Sequence, residues 1–81
     1  KDSDINQIKL MPNPTTGIIN IVSDYKDIKN IEVRSLDGRL VESISVLNHE
    51  IIDLSHLRSG SYLIKGYVNN YPFVKKVVIV N

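Results

Sequence analysis

The sequence predicts one small all-β domain, folded as an antiparallel sandwich or barrel, and three observations predict it. Isoleucine occurs twelve times and valine nine in 81 residues, while alanine and tryptophan are absent. β-Branched side chains lose rotamer freedom in helices and pack well on a pleated surface, so a helix bundle is excluded. Short apolar runs alternate with turn residues at about the 8–12-residue spacing of all-β domains. The connections between these runs are too short for crossover helices, which leaves antiparallel pairing.

Residues 8–11 are the first expected strand, stopped by Pro12-Asn13-Pro14. Residues 17–23 are the second, with Ile19 and Ile21 on one face. Residues 28–35 alternate, Ile31 and Val33 on one face and Glu32 and Arg34 on the other. A fourth strand runs over 39–46 and a short fifth over 50–54. Residues 61–68 form the sixth, with Tyr62 and Ile64 together, and 73–80 the last. Residues 53–58 read as a single turn that Ser55 caps. The polar stretch 1–7 reads as a frayed lead-in, so the domain proper spans 8–81.

The turns are the most specific part of the chain. In Asn13-Pro14-Thr15-Thr16-Gly17 the Asn13 side chain can close an Asx-turn, Pro14 presets φ, and Gly17 can take φ > 0. Neither Pro12 nor Pro14 can donate to a ladder, which confines this segment to an edge or corner. Around Asp37-Gly38 two registers compete. A two-residue loop sets Val33 opposite Glu42, whereas a type I turn starting at Ser35, with Gly38 left-handed, sets Val33 opposite Val41. The second matches apolar with apolar and is the expected one. Tyr62, just after the turn containing Gly60, is placed to bond its hydroxyl back to upstream backbone, as in a tyrosine corner.

Composition excludes several function classes. Ten Lys and Arg against nine Asp and Glu leave a formal +1. The signs are interspersed, so the basic stripe of a nucleic-acid binder is missing. No run approaches the roughly 18 apolar residues of a membrane span. Residues 1–10 lack the apolar centre of a signal peptide, as expected of a cytosolic protein or a piece of a longer secreted one. Without cysteine there is neither a disulfide framework nor a thiolate metal site. At 9.2 kDa a single small core must hold by packing and sheet hydrogen bonds.

Nothing points to catalysis or a cofactor. His49 and His56 fall in expected loops, and Asp53 near His56 has no third ligand at metal spacing. Asp24, Asp27, Asp37 and Asp53 occupy turn positions for backbone reasons, and no EF-hand spacing links them to Asp2 or Asp4. There is no nucleophile elbow and no Gly-rich phosphate loop, and Pro14 disqualifies Asn13 as a glycosylation acceptor. Tyr67, Tyr71 and Phe73 around one hairpin are either a carbohydrate platform or, more simply, core and edge-covering residues. The apolar run Val77-Val78-Ile79-Val80 follows the gatekeepers Lys75 and Lys76. It either packs in its own sandwich or adds to a partner's sheet.

Taken in order, these motifs resemble a known family. Pro12-Asn13-Pro14 with Gly17, Ile31-x-Val33, Asp37-Gly38-Arg39-Leu40-Val41, Ile52-Asp53-Leu54-Ser55-x-Leu57-x-x-Gly60-x-Tyr62 and a Lys-containing final strand follow one another. The arrangement is similar to the type A C-terminal sorting domain of the type IX (Por) secretion system of Bacteroidota, from about Ile8 to Asn81. The resemblance implies an immunoglobulin-like antiparallel β-sandwich of about seven strands, placed last in a larger exported protein. It further implies a non-catalytic address that crosses the periplasm and the outer membrane to the cell surface or beyond. The implied partners are the type IX translocon, an outer-membrane shuttle protein and a sortase that removes the domain. Carried over by position, the signal-bearing residues are Pro12, Asn13, Pro14, Gly17, Gly38, Gly60, Tyr62, Lys75, Lys76, Val77, Val78, Ile79 and Val80. The rival reading is an accessory β-sandwich, glycan-binding or spacing, of an extracellular enzyme. A homodimer through an edge strand is compatible with either.

Overall fold

Seven strands form two sheets in the computed structural model, which describes residues 8–22, 28–46, 51–68 and 70–81. The expected lead-in over 1–7 lies outside the described residues, as do Asp24, Asp27 and His49. The strands are β1 (Lys9–Met11), β2 (Ile18–Val22), β3 (Ile28–Ser35), β4 (Leu40–Val46), β5 (Ile51–Asp53), β6 (Gly60–Val68) and β7 (Tyr71–Ile79). One sheet has the order β1-β2-β5 and the other β4-β3-β6-β7, with every strand pair antiparallel. The chain changes sheet between β2 and β3, between β4 and β5, and again between β5 and β6. This is the immunoglobulin-like arrangement, in which A-B-E faces C′-C-F-G.

Alternation along each strand builds the core. Ile8, Leu10, Ile19, Ile21, Ile52 and Leu54 from the first sheet meet Ile28, Ile31, Val33, Ile64, Val68, Phe73, Val77 and Ile79 from the second. Isoleucine dominates because a β-branched side chain suits both the pleat and the narrow gap between sheets. Glu32 and Arg34, alternating with the buried Ile31 and Val33, pair with each other at 2.9 Å on the outer face. Tyr62 packs against the core beside Ile64, as the alternation predicts.

The β3–β4 hairpin corrects one expectation. The turn is the expected one: Gly38 N–H donates to Ser35 O at 2.9 Å, and Gly38 has a φ of +93°. Yet Val33 lies opposite Glu42 and not Val41, because the register shifts between Val33 and Arg34. Arg34 faces Leu40, so Val41 is an extra residue bulged out of β4. The bulge restores parity. It places Ile44 opposite the buried Ile31, on the core face, where an uninterrupted register would have turned Ile44 outward.

β7 begins two residues earlier than expected, at Tyr71, and includes Pro72. Val78 offers its N–H to the outer edge of β7. Residues an even number of positions away share that orientation, so Pro72 has no ladder bond to lose.

Candidate functional site

A short strap, residues 12–17, leaves β1 and crosses to the edge of β7. Asn13 reaches the final strand with its side chain: Nδ2 donates to Lys76 O at 2.9 Å, and Val78 N–H donates to Oδ1 at 2.9 Å. The amide therefore mimics one residue of a neighbouring strand, bonding across 63 and 65 positions of sequence rather than closing the expected local Asx-turn. Thr15 continues the pairing through its backbone. Its N–H donates to Val78 O at 2.9 Å, and Val80 N–H donates to Thr15 O at 2.8 Å. Thr15 and Ile79 form a parallel bridge, an exception to the antiparallel pattern. The C-terminal half of β7 is thus paired on both edges, by β6 and by the strap, which closes this half to the β-augmentation considered for it.

The strap is anchored in turn. Thr15 is buried at 4% exposure, and its hydroxyl donates to Ile18 O at 2.7 Å while accepting from Gly17 N–H at 3.0 Å. Gly17 has a φ of +132°, and its carbonyl accepts from Leu54 N–H at 2.7 Å. A Cβ on Gly17 would lie 2.5 Å from Ser55 Cα, so only glycine fits against the β5–β6 turn.

That turn is organised by Asp53. Its Oδ1 accepts from Ser55 N–H at 3.0 Å and from the Ser55 hydroxyl at 2.6 Å. Asp53, and not Ser55 as expected, is therefore the capping group. The two bonds, the hydroxyl's foremost, hold the Asp53 carboxyl below its ordinary value. Asp37 is lowered in the same manner, first by the Ser35 hydroxyl and then by Arg39 N–H. The Tyr62 hydroxyl donates to Arg58 O at 2.8 Å, the tyrosine-corner bond that its place after the turn predicts. Asn81 closes the site. Its N–H donates to Ser59 Oγ at 3.0 Å, the Ser59 hydroxyl donates to its Oδ1 at 2.7 Å, and its Nδ2 donates to Leu57 O at 2.7 Å.

The topology brings most of the predicted residues to one end of the sandwich. Gly60, Ser61 and Tyr62 pair with Ile79, Val78 and Val77, and Ser35, which opens the Gly38 turn, pairs with Tyr62. Pro12, Asn13, Pro14 and Gly17 lie in the strap beside them. Lys76 belongs to the site through its carbonyl, and Val80 through its N–H. Lys75 does not: it sits opposite Ile64 in the middle of β7, half-buried on the inward side between Phe73 and Val77. An inward-pointing charge on an edge strand discourages edge-to-edge pairing. Thr15, Ser59 and Asn81 were missed as site residues. A Thr two residues before a positive-φ glycine was the available signal for the first. The other two meet only through the fold.

The aromatic platform does not form. Phe73 is buried, and Tyr67 and Tyr71 occupy adjacent rows, opposite Pro72 and Val68, on opposite faces of the sheet. Among the described residues no three His, Cys, Asp or Glu side chains are grouped to hold a metal. His56 Nε2 lies 2.7 Å from Glu42 Oε1 as an exposed pair. No described helix is long and apolar enough to cross a membrane.

What the geometry defines is an immunoglobulin-like module whose sequence motifs gather at one end, around a terminal strand held from both sides. The chain matches the model of the secretion system C-terminal sorting domain over residues 9–80, and it belongs to that family. It is a sorting signal of type IX secretion, and such a signal implies export as part of a larger protein to the cell surface or the extracellular space. It also implies interaction with the type IX machinery. No curated protein matches the chain.

Proposed function

We propose that the strap-bearing end of the sandwich is the surface by which the type IX translocon and its outer-membrane shuttle protein recognise the folded chain. The domain acts without chemistry of its own, and a sortase removes it as the cargo reaches the cell surface. The observation that carries this reading is convergence. Pro12, Asn13, Pro14, Gly17, Gly60, Tyr62 and the run from Val77 to Val80 are far apart in sequence yet share one hydrogen-bonded end. Near-zero net charge leaves shape and fixed backbone geometry as the recognition terms, and a strand clamped on both edges presents both.

Site-directed photo-crosslinking of a reporter fused to this chain tests the reading. Thr16 and Val80, exposed at the proposed surface, and Tyr71 and Val74, exposed in the far half of β7, are replaced singly by a photoreactive residue. Crosslinks to outer-membrane machinery are expected from Thr16 and Val80. Crosslinks confined to Tyr71 or Val74 would move the recognised surface away from the strap.

A further inference from the structure

The three-stranded sheet turns one face to the core and the other to solvent, with strict alternation along β1, β2 and β5. Register arranges the outward residues in three rows. Lys9 lies beside Val22; Met11, Asn20 and Ile51 follow across all three strands; Ile18 lies beside Asp53. Asn20 therefore sits at the centre of the face. Met11 and Ile51 flank it on the neighbouring strands, and Ile18 and Val22 flank it along its own. These four apolar side chains are between 42% and 51% exposed. Open apolar side chains gathered around one point mark a contact surface, and this one carries opposite charges at diagonally opposite corners.

We propose that this face joins two copies of the chain in a face-to-face, two-fold dimer. The argument is self-complementarity: in such a contact the same patch serves both copies, so every group must meet a suitable one on the second copy. A two-fold axis lies in the face through Asn20, perpendicular to the Lys9–Asp53 diagonal. It sets Lys9 over the second copy's Asp53 and Asp53 over the second copy's Lys9. The same operation brings Met11 near the second copy's Ile18 and Val22 near its Ile51. Asn20 meets its own counterpart, and an amide, with both donor and acceptor, can pair reciprocally with itself.

With strands about 4.8 Å apart and like-facing residues about 6.7 Å apart, the strands of the two copies cross at roughly 70°, near the orthogonal class of sheet packing. Both Ser55 bonds go to Asp53 Oδ1, so capping the turn does not use Oδ2. A lipid surface or a purely apolar partner would desolvate Asn20, Lys9 and Asp53 without answering them. Three strands by five residues make a face of roughly 15 Å by 17 Å. Two such faces bury less than the roughly 1,200 Å² of stable complexes, so the dimer is weak and depends on concentration. The contact lies on the other sheet from β7 and does not rest on the sorting role.

The test is sedimentation equilibrium of the chain from about 20 µM to about 2 mM, where a dimer with a Kd of about 0.5 mM is expected. In ¹⁵N spectra over the same range the amides of Met11, Asn20 and Ile51 should move, and those of Lys65 and Val74 should not. Lys9→Glu and Asn20→Asp, which set like charges against each other across the axis, should each weaken the dimer about tenfold or more. Asp53→Lys should do the same. An equimolar mixture of Lys9→Glu with Asp53→Lys restores both ion pairs in the heterodimer and should return Kd to within about threefold of the parent value. If Asp53→Lys does not fold by circular dichroism, Lys9→Glu and Asn20→Asp decide the matter. A chain monomeric to about 2 mM overturns the proposal and leaves the face to a different partner. Concentration-dependent shifts centred on β4 or β7, or unchanged dimerisation of Lys9→Glu and Asn20→Asp, overturn it equally.

Discussion

Replacing Gly17 by alanine probes the joint between the strap and the β5–β6 turn. The added Cβ would sit 2.5 Å from Ser55 Cα, 2.8 Å from Ser55 N and 2.9 Å from Ser55 Cβ. Two of these atoms are backbone, and the turn that carries them is pinned by Asp53 and by the Leu54 N–H to Gly17 O bond. Overpacking against atoms that cannot swing away costs about 1–3 kcal/mol. Forcing an L-residue to a φ of +132° adds a strain of similar size, about 1–3 kcal/mol. The expected total is about 4 kcal/mol, a large part of the roughly 4–12 kcal/mol available to a domain of this length. Calorimetry should show a Tm lower by about 15 °C or more. Gly38→Ala is the control. It has the positive φ but open space around the new methyl, so it should cost about 1 kcal/mol. A Gly17→Ala loss below about 1 kcal/mol, or equal losses at the two glycines, would refute the close-contact reasoning.

Further outcomes follow from single bonds. Asn13→Ala removes both side-chain bonds to β7 and should cost about 1–2 kcal/mol. In hydrogen exchange the Val78 amide should lose protection first; unchanged protection there would show that the strap holds by its backbone alone. Tyr62→Phe deletes the bond to Arg58 O and should lower the urea midpoint by an amount equivalent to about 0.5–1.5 kcal/mol, with the fold intact by circular dichroism. Asp37 and Asp53 have folded pKa values below the 3.8 of an unperturbed aspartate. Their stabilising contribution is therefore complete above that value and is lost as pH falls through the lower folded values. Thermal melts of Asp37→Asn/Asp53→Asn should show a flatter acid limb than the parent chain below about pH 4, and parallel limbs would contradict the assignment.

Much of the fold was legible because side-chain parity is a local signal. The β3 span, its inward Ile31 and Val33, and the pairing of Tyr62 with Ile64 on one face all follow from alternation within a few residues. What escaped is set by partners far away. The Ser35–Gly38 turn predicts its own hydrogen bond correctly. It cannot predict the Val41 bulge, because that bulge answers to the core face required of Ile44 three residues further on. The Asn13 side chain read as a turn former because an Asx-turn is the nearest available use of its amide. In the fold the amide goes instead to β7, across more than 60 positions. The site was legible to the same degree: the motif residues were visible as turns, while their meeting at one end is a product of sheet order.

The claim that the strap-bearing end is the address is tested most directly by export of a reporter fused to this chain. Two surface sets with matched melting temperatures are compared. Thr16→Glu with Val80→Glu marks the strap-bearing end, and Tyr71→Glu with Val74→Glu marks the far half of β7; all four residues are exposed. The account predicts that the first pair abolishes export of a folded fusion while the second leaves it near the parent level. Normal export of the first pair, or loss with the second alone, would contradict it.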